Sequence, residues 1–381
     1  MQLGIDASNI RAGGGITHLC ELLGAAEPER HGIERIVVWG GRKTLELLPE
    51  RPWLRKVLEP MLDANLFSRL YWQRQHLARR AKQECDLLFI PGGNYHGSFR
   101  PFVAMAQNLL PFDRVERLRY GLSFVQVRLL MLRLGQGRTF RRAAGVIHLT
   151  DFARDVVEKN QIFSDVPSAV VPHGISERFR LEPRLPRFLD DCTAARPFRW
   201  LYVSIVDLYK HQWHAVEAIY RLRQKGIPVA IDLVGPAYPP AMRRLERVIE
   251  RLGDSEAVRY WGTIPYPDVA HLYREADGFL FASSCETISM ILMEAMAAGL
   301  PIACSNKGPM TEVLGDAGIY FDPESPDQIA DVMEALMRDP DKRAALAANA
   351  YARAARFTWG RCANETLSFL AQIAQSKERV D

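Results

Sequence analysis

The six cysteines of the 381-residue chain, at 20, 85, 192, 285, 304 and 362, all stand alone, with no CxxC pair and no short Cys/His spacing. A disulfide scaffold and a zinc module are thereby excluded, and free buried thiols remain. Nor does any uncharged apolar run approach the ~18 residues that span a bilayer. The opening Met1-Gln2-Leu3-Gly4-Ile5-Asp6 lacks the basic flank and long apolar stretch of a secretion signal and reads as a strand. Both absences point to the cytoplasm. Low-complexity tracts and repeats of roughly 20–50 residues are missing too, which removes solenoids and linker-like chains. What is present is a globular composition, 48% hydrophobic and 25% charged, with seven Trp, twelve Tyr and seventeen Phe. At roughly 150 residues per domain, the length predicts two domains that each bury a core.

Net charge is +4, unevenly spread. Residues 1–194 hold 28 Lys and Arg against 21 Asp and Glu, residues 195–381 hold 21 against 24, and 100–142 alone holds nine Arg and two acids. Neither a stacking motif nor a helix-turn-helix pattern accompanies this patch, so nucleic acid is not expected as a partner. An acidic lipid surface or a phosphorylated substrate fits it better. Within it, Tyr120 to Gly135 is apolar on most faces and flanked by Arg. It reads either as a helix docking on a membrane surface or as a core helix, and the wide apolar arc favours the core.

Short β-branched or apolar runs alternate with amphipathic, helix-length segments throughout, the pattern of parallel sheets built from βαβ units. Strands are predicted at 2–7, 34–39, 86–91, 101–107, 145–150 and 168–172. A second set falls at 199–206, 229–235, 258–262, 278–283, 301–305 and 318–322. The Pro- and charge-bearing segment 183–197 interrupts the rhythm once and marks the boundary: a first domain 1–190, a second domain 191–360, and a helix 361–381 packing back toward the first domain. The fold class is therefore α/β, with two doubly wound, Rossmann-like domains facing across a cleft.

Two stretches carry candidate chemistry. After the first strand, Gly13, Gly14 and Gly15 lead into a helical pattern. They allow close backbone approach and present a helix N-terminus to an anion such as a diphosphate, or else form only a tight turn. Further on, an apolar strand runs into a loop with Glu286, and a helix begins near Ser289, a candidate cap. Glu294 then lies about 7.5 Å along the helix axis from Ser289. Two carboxylates held apart in this way can each accept hydrogen bonds from vicinal hydroxyls, a sugar at one and a ribose at the other.

Glu286 and Glu294, with seven residues between them and Ala295-Met296-Ala297-Ala298-Gly299-Leu300-Pro301 following, resemble the E-x7-E motif of retaining GT-B glycosyltransferases of family 4. Similar landmarks are Val171-Pro172-His173-Gly174-Ile175, Trp261-Gly262-Thr263-Ile264, Leu272 to Asp277, Glu312 to Gly318 and Phe357-Thr358-Trp359. The likeness covers residues 168–370 and implies a GT-B fold. It places Glu294 on the nucleotide ribose and Glu286 on the transferred sugar. The backbone of Ile288, Ser289 and Met290 would meet sugar hydroxyls and phosphate, with Thr263 and Ile264 against the base and His173 in the substrate site. Lys210 is implied on the diphosphate, but the Arg that family members carry just before it is missing from 204–209. In the first domain the resemblance implies that Gly13, Gly14 and Gly15 contact the diphosphate or the transferred group. Gln107 or Asn108 stands where many members have a His at the reacting centre, and an amide orients substrate without acting as a base.

The resemblance thus implies a retaining hexosyltransferase. It would move a sugar from a nucleotide-diphosphate donor to a glycan or polyprenyl-diphosphate-linked acceptor, in bacterial surface polysaccharide synthesis of the O-antigen mannose or rhamnose kind. Contact with the inner membrane surface through 112–142 is expected. A nucleotide-sugar 2-epimerase of the same fold and a non-catalytic sugar-nucleotide-binding subunit are the competing readings. No cofactor is expected, and no metal: the only Asp-x-Asp is Asp339-Pro340-Asp341, placed between two helical patterns, and helix dipoles with Lys210 would neutralise the leaving diphosphate.

Overall fold

The computed structural model describes residues 1–11, 13–161 and 166–378. By contact density it divides into two units, one of Met1–Arg117, Gly121–Gly174 and Thr358–Asp381, the other of Leu118–Tyr120 and Ile175–Phe357.

The first unit holds a parallel sheet of seven strands: β1 (Gln2–Asp6), β2 (Arg35–Gly40), β3 (Leu54–Leu58), β4 (Leu87–Ile90), β5 (Phe102–Met105), β6 (Gly145–His148) and β7 (Ser168–Val170). They lie in the order β3-β2-β1-β4-β5-β6-β7. In the second unit, β8 (Phe198–Val203), β9 (Val229–Val234), β10 (Val258–Tyr260), β11 (Gly278–Phe281), β12 (Ile302–Ser305) and β13 (Ile319–Phe321) form a parallel sheet ordered β10-β9-β8-β11-β12-β13. Both orders reverse once, at β1/β4 and at β8/β11, so each unit is doubly wound and has a ligand crevice beyond its strand ends at that point. Helices cover both faces of each sheet, and the central strands are accordingly apolar without alternation: Val37, Val38 and Trp39, or Phe279, Leu280 and Phe281, are fully buried.

The predicted strands all form, within one to three residues at their ends. β3 was not predicted. Two of its five residues, Arg55 and Lys56, are charged, and it lies at the sheet edge with only β2 beside it, where one face need not be apolar.

The division falls after Gly174, not at residue 190. The segment just past Gly174 is bound to the second unit by its own side chains and backbone. Phe179 is fully buried, with ring centroids 5.3 Å from Tyr266 and 5.6 Å from Tyr273. Leu181 N donates to Ala297 O at 3.0 Å, and Arg184 donates to the carbonyls of Arg274 and Ala276. Helix Trp359–Glu378 belongs to the first unit, where a Cβ on Gly145 would sit 2.9 Å from the Phe369 ring; residues 379–381 of the predicted C-terminal helix lie outside the described residues.

Helix Phe124–Arg142 answers to neither sequence reading alone. Leu129, Gln136, Gly137, Thr139 and Phe140 are buried, as a core helix requires. Phe124, Met131 and Leu134 remain 83%, 61% and 74% exposed, so apolar residues also cover its outer face near the N-terminal end. Among the described residues no helix is long and apolar enough to cross a membrane.

Phe179→Ala should lower the stability of the second unit by about 3–5 kcal/mol, the cost of emptying a buried aromatic site. Urea unfolding followed by Trp fluorescence would read this as an earlier second-unit transition. A midpoint equal to that of the wild type would show that the segment 175–184 is not part of that core.

Candidate active site

The site of the second unit is built where β8 and β11 end side by side. Beyond β8 the chain turns through Asp207 to His211, and Lys210 N donates to Asp207 O at 3.0 Å. Beyond β11 it enters the loop 282–289. Hydrogen bonds join the two loops: Ser284 N to Tyr209 O at 2.9 Å, Ser284 Oγ to the same carbonyl at 3.2 Å, and His211 Nε2 with Ser284 Oγ at 2.9 Å. His211 adopts a left-handed conformation (φ 52°) to start helix Gln212–Gln224. Burial, with the field of Arg119 next, holds its imidazole down to about 3, so it is neutral.

This joint brings Lys210 and Glu286 together. The Lys210 side chain is 5% exposed and that of Glu286 15%, and the ammonium donates directly to Glu286 Oε1. The ammonium also lies 5.0 Å from the Tyr209 ring centroid and 5.3 Å from that of Phe281. The residue expected on the diphosphate and the one expected on the sugar thus neutralise each other in the free protein. No arginine takes the missing position. Asp207 stands in that loop instead, accepting from Tyr120 Oη at 2.8 Å and Leu208 N at 2.7 Å, and burial raises its pKa.

Ser289 caps helix Met290–Ala297, its Oγ accepting from Leu292 N at 3.2 Å. The amides of Met290 and Ile291, at the helix N-terminus, lack intrahelical acceptors and are available to an anion. Ile288 and Ser289 are buried and Met290 half-buried. One turn further, Glu294 is 4% exposed. Tyr266 Oη donates to its Oε1 at 2.9 Å and Tyr273 Oη to its Oε2 at 3.0 Å. Burial pushes this carboxyl up to about 7, against the pull of the two tyrosines and of Arg178. Both tyrosines belong to helix Tyr266–Glu275, which follows the loop of Thr263 (exposed) and Ile264 (half-buried). The loop expected at the base and the carboxylate expected at the ribose are therefore linked through Tyr266. Gly235, at the end of β9, has φ +138°, and a Cβ there would come 2.3 Å from Ser204 O; only glycine lets the two strand ends approach this closely.

The first-unit candidates gather separately. Gly13 (φ +66°) precedes helix Gly14–Ala25, with open space where a Cβ would point. A Cβ on Gly15 would lie 3.9 Å from Gln107 Oε1, and Gln107 Nε2 is 3.2 Å from His18 Nδ1. His18 stacks on His173 (centroids 4.6 Å), and His173 lies 5.7 Å from Trp359. Among the described residues neither His173 nitrogen nor His18 Nε2 meets a hydrogen-bond partner. Burial holds His18 down to about 4 and His173 well below its usual value, so both rings are neutral. Asn108 stands apart, exposed, with its Oδ1 accepting from Leu110 N at 3.2 Å.

Sequence reasoning missed His18, Tyr266, Tyr273 and Arg178. Only His18 left a signal, a polar residue on the buried face of the glycine-led helix. Asp339 caps helix Pro340–Ala354, its Oδ1 accepting from Lys342 N at 2.9 Å. Among the described residues no three His, Cys, Asp or Glu side chains gather as metal ligands.

Residues 194–353 match the model of the glycosyl transferases group 1 family. The match covers 160 of the 381 residues, and this part of the chain is similar to that family. The O-antigen chain mannosyltransferase B of Escherichia coli is 33% identical over 124 residues, 32% of this chain and 32% of that protein; the match thus spans about a third of this curated relative's length. Sucrose-phosphate synthase from Thermosynechococcus elongatus superposes with a TM-score of 0.77 over 99% of this chain and 100% of that one, at 16% identity. The Anabaena protein HepE, in complex with UDP and glucose, gives 0.69 over the whole of both chains at 17% identity. These likenesses show the fold, GT-B, with a doubly wound sheet in each unit.

The raised pKa of Glu294 has a signed consequence. The carboxyl keeps its proton in the folded state up to about pH 7 and loses it near 4.5 when unfolded. Its contribution to stability is therefore complete below pH 4.5 and is lost as pH rises to about 7, some ~3 kcal/mol in all. Glu294→Gln should remove this part of the slope between pH 5 and 8 in urea titrations. A wild-type slope in that variant would refute the assignment.

Proposed function

We propose that the protein is a retaining, metal-independent glycosyltransferase. In this reading it moves a sugar from a nucleotide-diphosphate-sugar to a glycan or lipid-linked acceptor in bacterial surface polysaccharide synthesis. The observation that carries the reading is the meeting of Lys210, Glu286, the Ser289-capped helix N-terminus and Glu294 at the switch point of a group 1 domain. The ligands in the HepE structure support a nucleotide-sugar donor, and the mannosyltransferase relative supports the polysaccharide role.

Donor binding would open the resting ion pair. Lys210 turns to the diphosphate, the amides of Met290 and Ile291 add the helix dipole, and Glu286 accepts from the sugar hydroxyls. Glu294 accepts from the ribose diol, as its spare lone pairs allow beside the two tyrosines. As the glycosidic bond breaks, negative charge grows on the leaving phosphate, where Lys210 and the helix N-terminus stand ready. That phosphate then assists the acceptor hydroxyl on the same face, which retains configuration. Gln107, held by His18, orients a hydroxyl and moves no proton. The exposed apolar and Arg-bearing stretch 112–142 supports peripheral contact with the inner membrane surface and, with it, a cytoplasmic location.

Product formation from candidate nucleotide sugars, with and without acceptor, tests the reaction itself. Transfer in the presence of acceptor supports it, whereas isomerised donor sugar, or nucleotide binding without turnover, would overturn it. Activity should survive EDTA; loss on chelation with rescue by Mg²⁺ or Mn²⁺ would disprove metal independence.

Lys210→Ala should lower kcat by ~10²–10³, and Lys210→Arg should recover only part, because a planar fork places charge differently from an ammonium. Glu286 loses its counter-ion in the Ala variant, so melting is measured alongside to separate folding from catalysis. A folded Ala variant with wild-type kcat would remove Lys210 from the mechanism.

A further inference from the structure

At the other end of the second sheet, where β8, β11 and β12 begin, lies a cavity of about 510 Å³ whose walls hold Arg184, Arg187, Arg196, Arg199 and Arg343. The candidate active site stands beyond the far ends of β8 and β11, so the six residues of β8 separate the two places by about 20 Å. None of the side chains assigned to that site lines the cavity.

The segment 183–187 forms one wall and is firmly held. Pro183 packs so closely on Gly299 (φ +62°) that a Cβ there would come within 2.7 Å of Pro183 Cα. Arg184 donates to the carbonyls of Arg274 and Ala276, at the end of helix Tyr266–Glu275. Arg187 donates to Pro197 O at 2.6 Å and meets Asp277 Oδ2 at 2.9 Å. Arg343, 2% exposed, donates to the carbonyls of Leu336, Met337 and Arg187. A wall held in this way loses little further freedom when a ligand enters.

Charge is not balanced in the cavity. Arg199 has its own partner, Asp232, at 3.1 Å. Asp277 is shared by the others: it pairs with Arg187 and accepts from Arg199 N at 2.8 Å. Burial disfavours the charged forms of Arg184 and Arg343, and the field of Asp277 is the main one opposing it at both. Among the described residues, Arg184, Arg196 and Arg343 have no carboxylate in contact. Arginines without counter-ions in a sheltered cavity favour an anion, and the planar guanidinium matches phosphate in particular. The other acid on the wall, Glu275, is exposed and has no cation in contact among the described residues. Such a carboxylate repels a bare anion but accepts hydrogen bonds from hydroxyls. The volume, within the ~300–1,000 Å³ of small-molecule sites, leaves room for more than a phosphate group.

We propose that this cavity is a second ligand site, taking a phosphorylated, hydroxyl-bearing small molecule of the sugar-phosphate class. Arg184 and Arg196 hold the phosphate, with the charge of Arg343 behind them, and Glu275 accepts from the hydroxyls. Such a site is independent of the glycosyltransferase reading, since it shares no residue with the candidate active site.

Calorimetry on the full chain with glucose 6-phosphate, inorganic phosphate and glucose tests it. Glucose 6-phosphate should bind at least tenfold more tightly than either single-feature probe. Arg196→Glu, at an exposed position, and Arg184→Ala should each weaken it tenfold or more. Melting checks both variants, and Arg196→Glu decides the matter where Arg184→Ala fails to fold. Glu275→Ala should narrow the preference over inorganic phosphate, and Lys210→Ala should bind glucose 6-phosphate as the wild type does. Loss of affinity in Lys210→Ala would place the probe at the candidate active site and overturn the cavity, as would wild-type affinity in Arg196→Glu or no binding at all. Inorganic phosphate binding as tightly as glucose 6-phosphate would assign a bare-anion site and overturn the sugar-phosphate class. An unaltered preference in Glu275→Ala would overturn the hydroxyl contact.

Discussion

An ammonium and a carboxylate removed from water must find each other, and the second unit is organised around that requirement. Lys210 and Glu286 come from loops 76 residues apart in the chain, and each alone would carry a desolvation penalty of several kcal/mol. Their meeting depends on the hydrogen bonds among Tyr209, His211 and Ser284 and on a left-handed residue at 211. A pair so held is ready for a ligand that can replace both partners at once. In the proposed reading a diphosphate joined to a sugar is such a ligand, its anion satisfying the lysine and its hydroxyls the glutamate.

Glu294 follows the opposite strategy. Among the described residues it has no cation in contact and is held by two phenols, so burial decides its protonation. Water exclusion therefore raises one carboxyl of the E-x7-E pair, while an ion pair keeps the other engaged. Equal spacing in sequence conceals two different electrostatic environments.

The strands were legible because parallel strands buried on both faces read as unbroken apolar runs. β3 was not, since an edge strand with Arg55 and Lys56 carries no such run. The E-x7-E spacing and the cap at Ser289 are local and so could be read along the chain. The tyrosines on Glu294 could not, because they lie 28 and 21 residues upstream on another helix and only packing brings them there. For the same reason the basic patch in 100–142 showed only part of itself in sequence. Arg74 joins it through the fold, acting together with Arg138 on His96. The domain boundary was misplaced because the Pro- and charge-bearing composition of 183–197 describes a strap lying on the second unit rather than a linker between units.

The position of helix Trp359–Glu378 has a consequence for the order in which the molecule is made. Residues 175–357, the bulk of the second unit, are a continuous stretch whose ends meet, Ile175 N donating to Phe357 O at 3.1 Å. They leave the ribosome before Trp359, whose ring lies against His18 and His173 in the first unit. The second unit can thus close while the first still lacks its last helix, reversing the usual order in which domains mature during synthesis. Until that helix arrives, the two stacked histidines lack their Trp359 cover, and the unit translated first is the last to be completed.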